Sequence, residues 1–221
     1  MAYTAPQVIQ GMLNDPAKLL RKVYIMIAGG DSTTPHGIST FKVEVQDWKK
    51  VSGFTTGFSG WKGKTKDREF VRINKLAGAA KPDAGLATDE FNAHYVGMRQ
   101  IGDALATTHT TLPTVGPPYL MITSKLSGCH FAVGLAATGG LTVTHIQPDT
   151  SIADLTQRAQ ALKTAVDAGF ASVTGQVRKR DEYGETANII GRLHNNHWEF
   201  YCQKTDYGGG DTFQITGASK I

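Results

Sequence analysis

The chain has 221 residues, 40% hydrophobic and 19% charged, which predicts one globular domain over residues 1–221 with a core of its own. The net charge of +4 is small and the Lys and Arg residues are scattered, which excludes the basic stripe of a typical nucleic-acid-binding protein. Two cysteines are too few for a disulfide-based fold and predict a reducing, cytosolic environment.

The N-terminal residues predict a short helix and no secretory signal. Thr4-Ala5-Pro6 is a helix start, and Asn14-Asp15-Pro16 interrupts the helix. Polar residues such as Gln7 break up the apolar stretch that a signal peptide requires. No run reaches the roughly 18 apolar residues of a membrane span, so we expect no membrane-spanning segment.

Three strands are predicted in the first third of the chain. Residues 23–28 form a continuous apolar run, typical of a strand buried on both faces, and residues 41–45 and 69–73 alternate between apolar and polar. The segment 48–67 is rich in Gly, Ser, Thr and Lys and is predicted to be a long loop that covers or binds something. Thr88 resembles a helix cap, and the helical spacing of apolar residues after it predicts a helix over residues 88–105.

The second half of the chain predicts more strands than helices. A strand over residues 119–123 precedes Cys129, a helix over residues 151–166 begins at Ser151, and further strands cover residues 171–177, 187–193, 198–202 and 212–216. Asn195-Asn196 is a hairpin turn, and the flanking histidines lack a zinc-spaced set of partners. These elements predict an α+β fold with a mixed, mostly antiparallel β core and flanking helices.

A β-hairpin between these elements brings Cys129 and His145 to the same end. Residues 131–137 and 141–145 read as its strands, with Thr138-Gly139-Gly140 as the turn. Counting from the turn places His145 opposite Ala132 and Cys129 about 10 Å further along. A bend at Gly128 would then have to return the thiol toward the imidazole. Taken alone, the pattern also fits an inert buried cysteine and a structural histidine.

The sequence Leu126-Ser127-Gly128-Cys129, an apolar strand and a histidine after the hairpin turn resemble the glutamine deamidases that include Burkholderia lethal factor and the catalytic domain of cytotoxic necrotizing factor. The bacterial chemoreceptor deamidase has a similar Cys-His arrangement. The resemblance implies Cys129 as nucleophile, His145 as base and the main-chain carbonyl of Thr123 as the group that orients the imidazole. It also implies an α/β sandwich, a bacterial toxin or effector, and a target protein that carries the substrate glutamine, with no cofactor and no metal.

Pairing with His145 is expected to lower the pKa of the Cys129 thiol and to favour a thiolate-imidazolium pair. Backbone N–H groups around Gly128 and Cys129 are the expected oxyanion donors, and Gln147 is the alternative orienting residue. Two other classes stay open: another thiol enzyme on the same pair, either a transglutaminase or a cysteine peptidase, and a non-catalytic binding protein. We expect a monomer that works in reduced cytosol and, if it is exported, leaves by a route other than the general secretory pathway.

Overall fold

The computed structural model describes residues 3–29, 34–46, 69–179, 183–208 and 212–221 of the chain. The loop predicted over residues 48–67, with its lysines and aromatic residues, lies outside these ranges. Across the described residues no helix combines the length and apolar character that crossing a membrane requires.

The helices begin where the sequence supplies caps. Thr4 caps α1: its hydroxyl accepts from the Gln7 N–H, and the Gln7 side chain accepts from the Thr4 N–H. The predicted N-terminal helix and its interruption before Pro16 are confirmed. Asp154, rather than Ser151, caps the later helix. The helices are α1 (Ala5–Asn14), α2 (Pro16–Lys22), α3 (Leu105–Thr108) and α4 (Leu155–Asp167), with a 3-10 turn at Asp83–Gly85.

Strands make up most of the regular structure, and those predicted over residues 23–28, 41–45 and 69–73 are confirmed. The strands are β1 (Val23–Ala28), β2 (Gly37–Gln46), β3 (Glu69–Lys75), β4 (Glu90–Val96), β5 (Arg99–Gln100), β6 (His109–Thr111), β7 (Leu120–Thr123), β8 (His130–Leu135), β9 (Leu141–Gln147), β10 (Ser172–Val177), β11 (Thr186–His194), β12 (His197–Gly208) and β13 (Thr212–Lys220).

The described strands form two sheets. The larger has eight strands in the order β1-β3-β2-β4-β7-β11-β12-β13, and the smaller contains β10-β8-β9-β5 with β6 paired to β9. Only the pairs β1–β3, β4–β7 and β5–β9 are parallel among these strands. The predicted mixed helix-and-sheet fold with a mostly antiparallel core is therefore confirmed.

Apolar side chains form three clusters that order the elements in space. The first lies between α1, α2 and one face of the larger sheet, and includes Met12, Leu20 and Phe41. The second joins side chains of both sheets, such as Met121 from β7 and Phe131 from β8. The third packs α4 on the other face of the β8–β9 hairpin. Burial of these faces supplies the main driving force for the fold, and the second cluster contains Cys129.

Two buried amide side chains form hydrogen bonds with the backbone at the outer edge of β1. Gln203 accepts from the Ile25 N–H at 3.0 Å, and Asn188 donates to the Ile25 carbonyl at 2.7 Å. The Gln203 amide nitrogen also donates to the Leu20 and Val23 carbonyls. The larger sheet thus curls until its first strand meets side chains of β11 and β12, which satisfy backbone groups of Val23 and Ile25 that would otherwise be unpaired.

The helix predicted over residues 88–105 is wrong. Residues 90–96 form β4 between β2 and β7, and the alternating residues Phe91, Ala93 and Tyr95 are buried on one face. Phe91 and Tyr95 are four residues apart, a spacing that fits a helix and a strand equally well. Pairing with two neighbouring strands decides between them, since it satisfies the backbone on both edges.

Candidate active site

The β8–β9 hairpin places Cys129 and His145 on the same face. The five residues 136–140 connect its strands, and the register sets His145 opposite Phe131 instead of the predicted Ala132. Cys129 precedes Phe131 by two residues and packs in the same apolar cluster, so it shares the side of the sheet that carries His145. Diagonal neighbours of this kind have Cα atoms about 7–8 Å apart. No bend at Gly128 is needed to turn the thiol to this face, although Gly128 does adopt a positive φ of 106°.

A hydrogen-bonded chain fixes the imidazole of His145. The Thr123 hydroxyl is 2.6 Å from the Val96 carbonyl oxygen and 2.7 Å from Nδ1 of His145. The Ser124 hydroxyl makes a longer contact of 3.4 Å with the same nitrogen. Thr123 was predicted to orient the imidazole through its main-chain carbonyl, and the structure places its side-chain hydroxyl against the ring instead. Among the described residues the alternative orienting residue, Gln147, makes no hydrogen bond to the ring, and the other ring nitrogen, Nε2, has no partner.

This chain assigns the tautomer of His145. A carbonyl oxygen only accepts, so the single hydroxyl proton of Thr123 must go to Val96. Toward His145 the hydroxyl oxygen can then only accept, which places the ring proton on Nδ1. In the neutral ring Nε2 therefore carries the free lone pair, and this buried nitrogen has no hydrogen-bond partner. A general base needs that arrangement, with one nitrogen held and the other free to take a proton.

Cys129 is closed off from solvent in this conformation. Its thiol is 3.5 Å from the Met98 sulfur, and the residue is only 3% exposed. Burial raises the pKa of the Cys129 thiol to about 11, against a smaller lowering by the backbone of Ser127. Burial likewise lowers the pKa of His145 to about 3, with nearby His36 as a minor cause in the same direction. Both groups are therefore neutral near pH 7.

The expected thiolate-imidazolium pair is therefore wrong for this conformation. The separation between the two pKa values makes proton transfer from Cys129 to His145 unfavourable by on the order of 10 kcal/mol. Attraction between the two charges at their diagonal separation would return only roughly 2 kcal/mol. The thiol also lies outside hydrogen-bonding distance of the imidazole, because Nε2 of His145 has no partner. The resting pair consists of a neutral thiol and a neutral imidazole on one face.

Tyr183 holds the main chain at the cysteine, a role that the sequence did not reveal. Its hydroxyl accepts from the Gly128 N–H at 3.0 Å and donates to the Cys129 carbonyl at 2.7 Å. The expected use of the Gly128 N–H as an oxyanion donor is therefore wrong here, since that group is already bonded. Tyr183 lies 54 positions from Cys129, and its flanking residues carry no motif that would have linked the two.

The described residues contain no group of three or more His, Cys, Asp or Glu side chains arranged to hold a metal ion. Cys202, predicted to be structural, is fully buried in the cluster between the sheets.

Comparison with models of known protein families gave no match, and neither did comparison with curated proteins.

Proposed function

We propose that the protein is a cysteine-dependent protein-glutamine deamidase, with Cys129 as nucleophile and His145 as base. The observation that carries this proposal is the hydrogen-bonded chain from Val96 through Thr123 to Nδ1 of His145. It leaves a buried, unpaired basic nitrogen on the face that Cys129 shares. A buried polar atom without a partner is costly, and substrate chemistry is one reason to retain it.

Before the reaction, substrate must gain access to the buried Cys129 thiol, and we assign Met98 as the side chain that moves aside to allow this. Met98 is only partly buried and touches the thiol. Its unbranched thioether changes rotamer at little cost. With Met98 displaced, the substrate carboxamide enters beside Cys129, and a more polar environment brings the pKa of the thiol down and that of the imidazole up toward their ordinary values.

The reaction then runs through a thioester. As the Cys129 sulfur bonds to the carboxamide carbon, Nε2 of His145 takes the thiol proton and the carbonyl electron pair moves to oxygen. The Cys129 N–H is the donor that we assign to this oxyanion. When the intermediate collapses, the carbon–nitrogen bond breaks and His145 protonates the departing ammonia. Water, deprotonated by His145, then attacks the thioester and releases the glutamate side chain and the free thiol.

We also propose that the fold is an α/β sandwich and that the substrate is a glutamine side chain of a target protein. The protein would then be a bacterial toxin or effector that works in the cytosol of a target cell. The apolar cluster that joins the two sheets supports the sandwich. A reduced cytosol suits both cysteines, which are free thiols in the structure.

Intact-mass analysis tests the proposal directly. Accessible glutamines in denatured casein, and proteins in a cell lysate, are incubated with the wild type, with C129S and with C202S as the matched cysteine control. We expect ammonia release and the mass gain of amide-to-acid conversion with the wild type and C202S, and neither with C129S. Incorporation of one oxygen from labelled water would identify hydrolysis of the carboxamide, as opposed to transfer of the acyl group to an amine.

Burial of Cys129 favours one competing function, a non-catalytic binding protein with a structural thiol. That protein would release no ammonia from any substrate, whereas the deamidase would. The other thiol enzymes are separated by their products, because a transglutaminase crosslinks the glutamine to an amine and a peptidase cuts the main chain.

A further inference from the structure

A second histidine, the half-buried His36, ends the same hydrogen-bonded chain on the side away from His145. Nδ1 of His36 lies 3.0 Å from the Gly97 nitrogen and accepts its N–H. His36 is close enough to His145 that its charge would disfavour protonation of the latter. The mechanism above assigns His36 no task.

One peptide group joins the two rings. The Val96 carbonyl, which accepts from Thr123, and the Gly97 N–H, which donates to His36, are the two polar ends of the same planar peptide. The path therefore runs from Nδ1 of His145 through the Thr123 hydroxyl and this peptide group to Nδ1 of His36. Every donor in it points the same way, and hydrogen bonds in such a chain polarise one another and strengthen together.

The surroundings keep His36 in the form that accepts. Because Nδ1 receives the Gly97 N–H, a neutral His36 carries its proton on Nε2. Burial lowers the pKa of His36, the charge of Arg99 lowers it further, and the backbone of Thr107 partly offsets both, although Nε2 makes no hydrogen bond within the described residues. The backbone on either side is also tightly placed, since a Cβ atom on Gly97 would overlap the carbonyl oxygen of Thr34. His36 is thus held against Gly97 as a neutral acceptor.

We propose that His36 is a positioning residue for His145, whose Nδ1-protonated tautomer it reinforces through the Val96–Gly97 peptide and Thr123. When His36 accepts the Gly97 N–H, the Val96 carbonyl becomes a stronger acceptor. The Thr123 hydroxyl then donates more strongly to it and becomes a stronger acceptor for the proton on Nδ1 of His145. Outer partners of this kind fix the tautomer and raise the basicity of the free ring nitrogen. The catalytic consequence rests on the proposed deamidase function, whereas the tautomer itself does not.

Side-chain 15N NMR of the histidine rings tests the proposal without any substrate. H36N is the matched control, because the amide oxygen of asparagine can occupy the place of Nδ1 and accept from Gly97. H36L removes the acceptor, and H36Q moves it one bond outward, so H36Q serves if H36L does not fold. We expect His145 to be protonated on Nδ1 alone in the wild type and in H36N. In H36L or H36Q, the Nδ1 and ring-proton signals of His145 should move toward those of a weaker hydrogen bond, because the Val96 carbonyl and the Thr123 hydroxyl become weaker acceptors.

An unchanged His145 signal in H36L or H36Q would overturn the proposal, as would a wild-type ring protonated on Nε2. A further check needs no variant: the wild type should show a nitrogen–nitrogen coupling across the bond from Gly97 to His36, and its absence would also count against the proposal. If the wild type deamidates casein, H36L or H36Q should be about tenfold slower, with the rate restored in H36N. A wild type that releases no ammonia would remove the proposed function alone, because the ring signals decide the role of His36 separately.

Discussion

Replacing Thr123 by valine should destabilise the protein and detach the His145 ring, because it removes the hydroxyl while keeping the shape of the side chain. Thr123 and His145 are both completely buried. The substitution takes one hydrogen bond from the Val96 carbonyl at 2.6 Å and one from Nδ1 of His145 at 2.7 Å. Each buried group left without its partner costs about 1–3 kcal/mol. We therefore expect the free energy of unfolding to fall by about 2–6 kcal/mol, a large part of the roughly 5–15 kcal/mol by which a domain is stable.

Urea unfolding followed by circular dichroism measures this loss, and T123S is its control. Serine keeps the hydroxyl and removes one methyl group, which should cost only about 1 kcal/mol. Where deamidation is measured, T123V should slow it by about 10- to 100-fold and T123S far less. If T123V proves as stable as T123S, the hydroxyl does not link Val96 to His145 and the tautomer assignment fails with it.

Three further predictions concern access, the cysteine turn and pH. M98A should speed iodoacetamide labelling of Cys129, because it removes the thioether that contacts the thiol at 3.5 Å; an unchanged rate would exclude Met98 as the gate. Y183F should lower the free energy of unfolding, measured in urea, by about 1–3 kcal/mol, because it removes the hydroxyl that bonds to the Gly128 N–H and the Cys129 carbonyl. Unchanged stability would show that Tyr183 does not hold this stretch of main chain. Burial lowers the pKa of His145 to about 3 and of His130 to about 4. Below pH 6.5 the unfolded chain therefore binds more protons than the folded one, and the free energy of unfolding should fall by roughly 2–3 kcal/mol between pH 6.5 and 5, before most carboxylates titrate. Equal free energies of unfolding at pH 6.5 and pH 5 would refute the lowered pKa values of these two histidines.

Local sequence was enough to predict elements whose signals lie within a few residues. Thr4 and Pro6 define the first helix, and the positive φ angles of Asn195 and Asn196, 51° and 62°, are those that a two-residue hairpin turn requires. The polar contacts of the candidate site were not predictable in this way. The bond from Gly97 to His36 spans 61 positions and that from Gly128 to Tyr183 spans 55. Such pairs are set by how strands from distant segments assemble, which no local pattern contains.

The incorrect prediction of a helix over residues 88–105 shows that an apolar pattern is weak evidence when the same positions fit both the helical and the strand period. Phe91, Tyr95 and Met98 recur at helical spacing, but Phe91, Ala93 and Tyr95 alternate equally well. Ala93 is too small to mark an apolar face by itself, although it is fully buried. Gly97 argued against a helix interior, where glycine costs about 1 kcal/mol relative to alanine. Its actual position, where a side chain would meet the Thr34 backbone, depends on the segment that precedes β2.

The hairpin register has the largest consequence for the site. The two strands were located correctly, yet placing His145 opposite Ala132 would have put Cys129 on the other face of the sheet, since side chains alternate with a period of two. The loop spans residues 136–140 and closes with hydrogen bonds from Ala136 to Gly140 and from Gly139 to Ala136. This moves His145 opposite Phe131 and brings it to the side of the thiol. Residue types thus suggested the chemistry, whereas a shift of one residue, fixed by the loop, determines whether the two groups can meet.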